Sequence, residues 1–528
     1  MYEMKMFTTS IVRAAALSLV LLSSAARAEN VLRWASQGDA MTMDSHSQNE
    51  GQTRTFAQQV EDALINRKPD LTKVPGLAVS WKLVDPKTWE FKLRAGVKFH
   101  DGRAFTADDV VFSFKRALMP TSDLKDLISS VSDIVAVDPL TVRILTKAPD
   151  PILLDEITNI FIMSRGWSEE HKVTVPQNYN GGEETYAVRH KNGTGPFKLD
   201  LREPDVRTVM VKNPDWWGLK DEPHNIDRIV YTPIKNPATR VAALLSGELD
   251  FLLDPPVQDI ARIESSGMFK IERAVSPWTI FFGMNSGRVE LASSSVKGKN
   301  PFADIRVRRA MNMAIDVNSI TQRIMRGFAQ PAGNLVPPGV HGYDKSIDTH
   351  LAFDADGAKK LLAEAGYPNG FDVRLDCPND RYLNDEPICQ AAVGMLARIG
   401  VKATLDLKPR TLHFPKVQTK QTDFYMYGWG TDTTDAHNHL YFLAAPESVS
   451  NATQYTDKTL FDLINAMAVE IDPAKRDLLI KDASTRLRDA YSYIPLYHPE
   501  IAWATRKGVT VPITLDNLPH FAYARFGN

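Results

Sequence analysis

A strand–helix–strand unit in the C-terminal half constrains the fold of this chain more than any other feature. Val373, Leu375 and Cys377 alternate with polar residues, as in a half-buried strand. A helical pattern over residues 388–399 follows, and residues 401–407 are typical of a second strand. Because strand and helix patterns alternate elsewhere too, the sequence predicts an α/β architecture.

The N-terminus has the three parts of a secretory signal peptide. Lys5 and Arg13 are basic, residues 14–22 are almost entirely apolar, and residues 26–28 (ARA) offer a small-residue cleavage site. The apolar run is about half of the roughly 18 residues that a membrane span needs. No cysteine lies near the cleavage site to carry a lipid. We therefore expect residues 1–28 to be removed, leaving a freely diffusing exported protein that begins at Glu29.

Composition and charge argue against a nucleic-acid-binding function. The formal net charge of the 528 residues is -2 and the charges are well mixed, so no basic surface for nucleic acid is expected. A hydrophobic fraction of 43% is ordinary for a soluble protein, and this length implies roughly two to four domains.

The two cysteines, Cys377 and Cys389, lie on either side of a loop in the strand–helix–strand unit. In an exported protein an isolated pair forms a disulfide more often than a reactive site. Two reduced, buried thiols are the alternative. A bridge would close only a short loop and would brace it.

Local patterns place several further elements. Apolar and polar residues alternate before and after Gly96, which predicts a hairpin over residues 89–102. Thr106 and Asp109 fit a capping box for the next helix. Farther on, a surface loop is expected at residues 286–300, next to a boundary between two lobes.

Two more helices are predicted with capping residues at both ends. Asn236 and Asp354 are suited to the first position of a helix, and Gly247 and Gly366 to its end.

Nine spaced segments resemble the motifs of one family. They are residues 91–102 (FKLRAGVKFHDG), 105–110 (FTADDV), 193–197 (GTGPF), 213–218 (NPDWWG), 246–250 (SGELD), 304–310 (DIRVRRA), 365–371 (AGYPNGF), 427–429 (YGW) and 494–497 (IPLY). In this order they are similar to family 5 bacterial solute-binding proteins, the dipeptide-, oligopeptide- and nickel-binding group of ABC transporters. The similarity extends over the whole mature chain.

This resemblance implies a two-lobed periplasmic-binding-protein fold with two crossover strands and a ligand enclosed between the lobes. The first lobe is expected to hold residues 29–284 with 498–528, including an extra subdomain at about 60–193. The second is expected to hold residues 285–497. The implied function is to capture a short peptide in the periplasm and deliver it to the permease subunits of an ABC importer. A monomer without cofactor or catalytic activity is expected.

The resemblance also implies ligand contacts in the segment from Tyr427 to Asp432. Asp432 stands where peptide binders keep the aspartate that pairs with the ligand ammonium. The backbone of Trp429 and Gly430 would lie along the peptide main chain, since glycine permits close approach. A solvated turn is the alternative for Asp432, and Asp435 is a weaker substitute.

Arg381, in the loop after the Cys377 strand, resembles the arginine that binders of short peptides direct at the C-terminal carboxylate. Its guanidinium could hold a carboxylate bidentately. The alternative is a salt bridge to Asp380 or Asp385, which lie close in sequence.

Four further positions are expected to contact the ligand. Gln37 and Asp44 follow the first strand, and Trp278 and Asn285 lie on the proposed crossover strand. These positions follow from the expected lobe arrangement.

Three other hypotheses remain open. His413, His437 and His439 invite a metal site, but a typical site needs three or four donors, and we expect a polar loop and no metal. The ligand could instead be an opine, a sugar conjugate or a nickel chelate on the same fold. An exported hydrolase or chaperone is the third.

Overall fold

The computed structural model describes residues 29–430 and 433–527 and has an α/β architecture. The strands are β1 (Val31–Ser36), β2 (Ile65–Arg67), β3 (Lys73–Pro75), β4 (Ala78–Asp85), β5 (Thr88–Leu93), β6 (Val131–Asp138), β7 (Thr141–Thr146), β8 (Phe197–Glu203), β9 (Arg207–Lys212), β10 (Arg228–Pro233), β11 (Phe251–Leu253), β12 (Phe269–Val275), β13 (Trp278–Met284), β14 (Ala329–Pro331), β15 (Asp372–Pro378), β16 (Lys402–Lys408), β17 (Phe424–Gly430), β18 (Tyr493–Arg506), β19 (Val509–Thr510) and β20 (Arg525–Phe526).

The helices complete the architecture. They are α1 (Gly51–Val60), α2 (Ala107–Ala117), α3 (Leu153–Glu156), α4 (Arg165–Glu170), α5 (Pro237–Ser246), α6 (Ile260–Ser265), α7 (Ile305–Met313), α8 (Val317–Ser319), α9 (Ala355–Glu364), α10 (Asp385–Ala397), α11 (Arg410–Gln418), α12 (Ala436–Ala444), α13 (Lys458–Val469) and α14 (Pro473–Asp489). Within the described ranges, no helix combines the length and apolar character of a membrane span. The predicted signal peptide lies outside the described residues.

The sheet of the first lobe has the strand order β11-β1-β10-β9-β8. Strand β1 runs parallel to β10 and β11, whereas β9 is antiparallel to β10. Trp34 on β1 is fully buried, and its ring lies 4.4 Å from that of Tyr231, with Phe56 and Phe251 close by. This aromatic cluster anchors β1 in the core of the first lobe.

The sheet of the second lobe has the order β16-β15-β17-β13-β18. Strand β15 is parallel to both β16 and β17, and α10 connects β15 to β16 while packing on both. The predicted strand–helix–strand unit is therefore present. It places the loop after β15 at the carboxyl edge of the sheet, where α/β proteins bind ligands.

Two connections pass between the lobes. The long strand β18 pairs with β13 through Tyr493 to Tyr497 and with β12 through Glu500 to Arg506. Only Ser276 and Pro277 separate β12 from β13. The domain boundaries at residues 284 and 497 stay predictions, and this pairing favours a first crossing at residues 276–277.

The four-stranded antiparallel sheet β4-β5-β7-β6 and helix α2 form the centre of the proposed subdomain. The predicted hairpin over residues 89–102 is wrong, because β5 pairs with β4 and β7 instead. Residues after Gly96 form only an isolated bridge between Lys98 and Ala104. The capping box is present, since the Thr106 amide donates to Asp109 Oδ2 at 2.9 Å.

The other predicted caps are present as well. Asn236 accepts a hydrogen bond from the Thr239 amide at the start of α5, and Gly247 ends that helix at φ +83°. Asp354 accepts from the Gly357 amide at 2.8 Å in the same way. Residues within the first and last turns are therefore sufficient to set these helix ends.

Candidate functional site

A cavity of about 610 Å³ lies between the proposed lobes. Its lining residues in the first lobe are Asn49, Asp123, Asp126, Leu127, Ile152 and Glu156. Those in the second lobe are Trp429, Gly430, Thr433, His437, Asn438, Tyr441 and Phe442. A ligand in this cavity would contact both halves of the molecule at once.

Gly430 lines this cavity and packs against Trp278. They are register partners on β17 and β13. A Cβ atom on residue 430 would lie 2.1 Å from Trp278 Cε2, so only glycine lets the indole ring pack against this backbone. Two of the predicted contact residues are therefore in direct contact.

Trp429 and Tyr427 have different environments on the same strand. Trp429 is half-buried, and its Nε1 donates to Asn438 Oδ1 at 2.9 Å. Tyr427 is only 6% exposed, and its ring packs against Phe281 and Phe414. Burial raises the pKa of Tyr427. Trp429 is thus available to a ligand, whereas Tyr427 supports it from the core.

The guanidinium of Arg381 packs against the indole ring of Trp278. The guanidinium carbon is 5.3 Å from the ring centres of Trp278 and Tyr382 and 5.9 Å from that of Phe414. Among the residues that the structure describes, no carboxylate lies within 4.0 Å of this guanidinium. The group is half-buried, cationic and held by aromatic faces alone.

The two acidic neighbours of Arg381 are occupied elsewhere. Asp385 Oδ2 accepts the backbone amides of Arg381 and Tyr382 at 3.0 and 3.1 Å. Asp380 Oδ1 accepts the amide of Arg410 at 2.6 Å. These bonds shape the loop and leave the guanidinium available for an external anion.

A disulfide joins Cys377, near the end of β15, to Cys389 in α10, with Cα atoms 6.7 Å apart. It closes the segment that carries Arg381. Restraint of this loop lowers the conformational entropy that ligand binding must remove.

The lobes are also in direct contact beside the cavity. The backbone amide and Oγ1 of Thr434 donate to the Asp155 carboxylate, with Oγ1 at 2.8 Å from Oδ1. Arg67 Nη2 lies 3.0 Å from the same carboxylate. Burial alone would raise the pKa of Asp155, but the charges of Arg67 and Lys73 and the Thr434 hydrogen bonds lower it.

Comparisons with known proteins agree with this architecture. Residues 72–451 match bacterial extracellular solute-binding proteins, family 5, in the middle part of that family. This chain belongs to that family.

Relatives of this family 5 protein differ in the ligand that their names state. It is 28% identical over 468 residues to heme-binding protein A of Haemophilus influenzae, covering 84% of this chain and 82% of that protein. It is also 28% identical over 467 residues to the dipeptide-binding protein of Escherichia coli, covering 83% of each. The structure of HbpA2 from Haemophilus parasuis superposes with a TM-score of 0.84 at 24% identity, covering 94% of this chain and 100% of that one. The two-lobed periplasmic-binding-protein fold is therefore established.

Asp432, the predicted partner of a ligand ammonium, lies outside the described residues. Gly430 and Thr433, which flank it in sequence, both line the cavity. Its substitute Asp435 lies in an internal ion pair, since both its oxygens accept from Arg476 at 2.7 Å. Asp435 therefore has no free oxygen to offer a ligand ammonium.

Three other predicted contact residues lie away from the cavity lining. Asp44 is fully buried in an ion pair with Arg116 inside the first lobe. Asn285 is fully buried beyond the far end of β13, where Nδ2 donates to the Thr422 carbonyl. Gln37 lies in an exposed bend after β1. Of the predicted contact residues, Trp429 and Gly430 line the cavity, with Trp278 packed on Gly430 and Arg381 on Trp278, and the other three lie elsewhere.

The acidic lining of the first lobe was missed by the sequence reasoning. Asp123 and Asp126 lie in an exposed turn segment, and Glu156 ends the short helix α3. Burial and the neighbouring Asp150 raise the pKa of Glu156 to about 9. None of these residues belongs to a recognisable motif, so only the folded arrangement reveals them.

The histidines give no support to a metal site. His413 Nε2 lies 2.8 Å from the Met426 carbonyl, and His439 is fully buried. His437 alone lines the cavity. Within residues 29–430 and 433–527, no group of three or more potential ligands could hold an ion.

Proposed function

We propose that this family 5 protein captures a short peptide between its lobes and delivers it to the permease subunits of an ABC importer. The observation that carries the peptide assignment is the guanidinium of Arg381. It packs on Trp278, which contacts the cavity-lining Gly430, and it has no carboxylate partner among the described residues. The similarity to the E. coli dipeptide-binding protein supports the same assignment.

We expect a peptide with free termini to bind between Gly430 and Arg381. Its C-terminal carboxylate would receive two parallel hydrogen bonds from Arg381, and its main chain would lie along Gly430. Asp432 would pair with the ammonium group at the other end of the ligand. Because each charge would be desolvated on closure, a ligand that lacks one of them is penalised.

The cellular setting of this function rests on the sequence. The predicted signal peptide at residues 1–28 and the extracellular character of the family support a periplasmic location. We propose that the protein acts there as a monomer and releases its ligand unchanged, without catalysis.

Calorimetric titration with Ala-Ala and Ala-Ala-amide tests this proposal. The wild type is expected to bind Ala-Ala about ten- to a hundredfold more tightly than Ala-Ala-amide, because hydrogen bonds to a charged group contribute free energy in this range. Arg381→Ala should remove that preference. Arg410→Ala is the matched control and should retain it, because Arg410 is an exposed arginine on the neighbouring helix that makes no ion pair with any described residue.

Two outcomes would contradict the proposal. Equal binding of both peptides by the wild type would remove the role of Arg381. If neither peptide bound while an opine, a sugar conjugate, a nickel chelate or heme did, the ligand class would be wrong and the fold assignment would stand.

A further inference from the structure

The cavity between the lobes has two chemically different walls. The first-lobe wall carries the carboxyl groups of Asp123, Asp126 and Glu156. The second-lobe wall carries three aromatic rings, those of Trp429, Tyr441 and Phe442. We call these the carboxyl wall and the aromatic wall.

The carboxyl wall has no cationic neighbour in the part of the cavity lining that the structure describes. Of the described residues that line the cavity, none is a lysine or an arginine. Asp123 and Asp126 are exposed, and neither makes an ion pair within the described part of the chain. Lys125, which lies between them in sequence, donates instead to the Ser122 carbonyl at 2.9 Å.

The three rings of the aromatic wall form one contiguous cluster. The ring centres of Trp429 and Phe442 are 5.1 Å apart, and those of Tyr441 and Phe442 are 5.4 Å apart. All three side chains are half-buried, so one face of the cluster is covered and part remains open. Aromatic faces bind the methylene stem of a basic side chain and attract its cationic end.

We propose that the preferred ligand of this site is a basic peptide, whose lysine or arginine side chain lies between the two walls. This proposal rests on the proposed function and deepens it, since it names the side chain that the bound peptide carries. The methylene groups pack on the aromatic wall and the cationic end reaches Asp123 and Asp126. Because the walls come from different lobes, the same side chain favours the closed arrangement.

The test compares Ala-Lys with Ala-norleucine, which differ by the terminal ammonium and have similar length. Titration calorimetry at low salt is expected to give a preference for Ala-Lys of about tenfold, the range for two partly exposed carboxylates. The double variant D123N/D126N should bring the ratio of the two affinities close to one. The double variant D356N/D482N removes two exposed carboxylates of the second lobe that do not line the cavity, and it should leave the ratio unchanged.

Three further outcomes decide between the proposals. Equal affinity for both peptides, or a ratio that persists in D123N/D126N, overturns the basic-ligand proposal and leaves peptide capture intact. Binding of 1,5-diaminopentane but of neither peptide, with affinity that depends on Asp123 and Asp126, overturns peptide capture and keeps the cationic specificity. Failure of all three probes to bind overturns both.

Discussion

Replacing Asp44 by alanine is expected to destabilise the first lobe without weakening ligand binding by the folded protein. Arg116 Nη1 donates to Oδ1 at 2.7 Å and Nη2 to Oδ2 at 2.6 Å. Both side chains are fully buried. Arg116 lies on α2 of the proposed subdomain and Asp44 follows β1, so the pair connects two parts of the lobe.

The magnitude follows from what remains after the change. Arg116 would keep only the carbonyls of Val173 and Val175 as acceptors and would stay buried without a counter-charge. Loss of one partner from a buried ion pair lowers the free energy of unfolding by about 3–5 kcal/mol. Removing both charges in D44A/R116M should recover part of this loss, because no uncompensated charge then remains buried.

The pH dependence of this stabilisation has a defined sign. Burial alone would raise the pKa of Asp44, but the charge and hydrogen bonds of Arg116 hold it well below its usual range. The pair therefore contributes fully above the unfolded-state pKa of about 4 and is lost as the pH falls through the folded-state pKa. The deficit of D44A should shrink correspondingly in acid.

Urea unfolding at pH 7 measures the effect, with D462A as the control. Asp462 belongs to an exposed i,i+4 pair with Lys458, for which a loss below about 0.5 kcal/mol is expected. A D44A midpoint equal to that of the wild type, or a double variant no more stable than D44A, would refute this reasoning. A weaker ligand affinity of folded D44N would instead return Asp44 to the binding site.

Two more predictions concern the disulfide and the carboxyl wall. The variant C377A/C389A should lose about 3 kcal/mol of unfolding free energy, from the entropy of a loop with sequence separation 12, and should bind Ala-Ala more weakly because Arg381 lies on that loop. Calorimetry on variant and wild type checks both, and an unchanged melting temperature would contradict it. Glu156 has a folded-state pKa raised to about 9, so its stabilising contribution is complete below about pH 4.5 and is lost as the pH rises through 9. Unfolding curves from pH 5 to 9 should therefore decline less steeply in E156Q, and parallel curves would count against a neutral Glu156.

Features set by neighbours in sequence could be predicted. The caps at Asn236 and Asp354 need only residues within the same turn, and the β15–α10–β16 unit needs only its own periodicity. The prediction of a hairpin over residues 89–102 was wrong because the pairing depends on residues distant in sequence. The alternation identified β5, but its partners β4 and β7 were decided by the core of the subdomain.

The residues of the candidate site show the same difference between local and distant signals. Trp429, Gly430 and Arg381 were proposed from their resemblance to the family, and Trp278 from its place on the expected crossover strand. In the structure they adjoin one another. The buried ion pair of Asp44 could not be predicted, because its partner Arg116 is 72 residues away and no local sequence pattern indicates the pair. Asp123 and Asp126 were missed because their significance depends on a cavity that exists only when the lobes face each other.

The arrangement of charges also explains how ligand binding and lobe closure can be coupled. Thr434 and Asp155 already link the lobes beside the cavity, so the lobes are held in contact by the protein's own groups. A ligand shifts the equilibrium only through contacts that differ between the open and closed arrangements. Arg381 and the aromatic wall belong to the second lobe and the carboxyl wall to the first, so a ligand bound to one lobe gains the remaining contacts only on closure. In the proposed binding mode, a zwitterion with a basic side chain contacts both walls. Strand β18 pairs with β13 and with β12 and so connects the two lobes that these walls belong to.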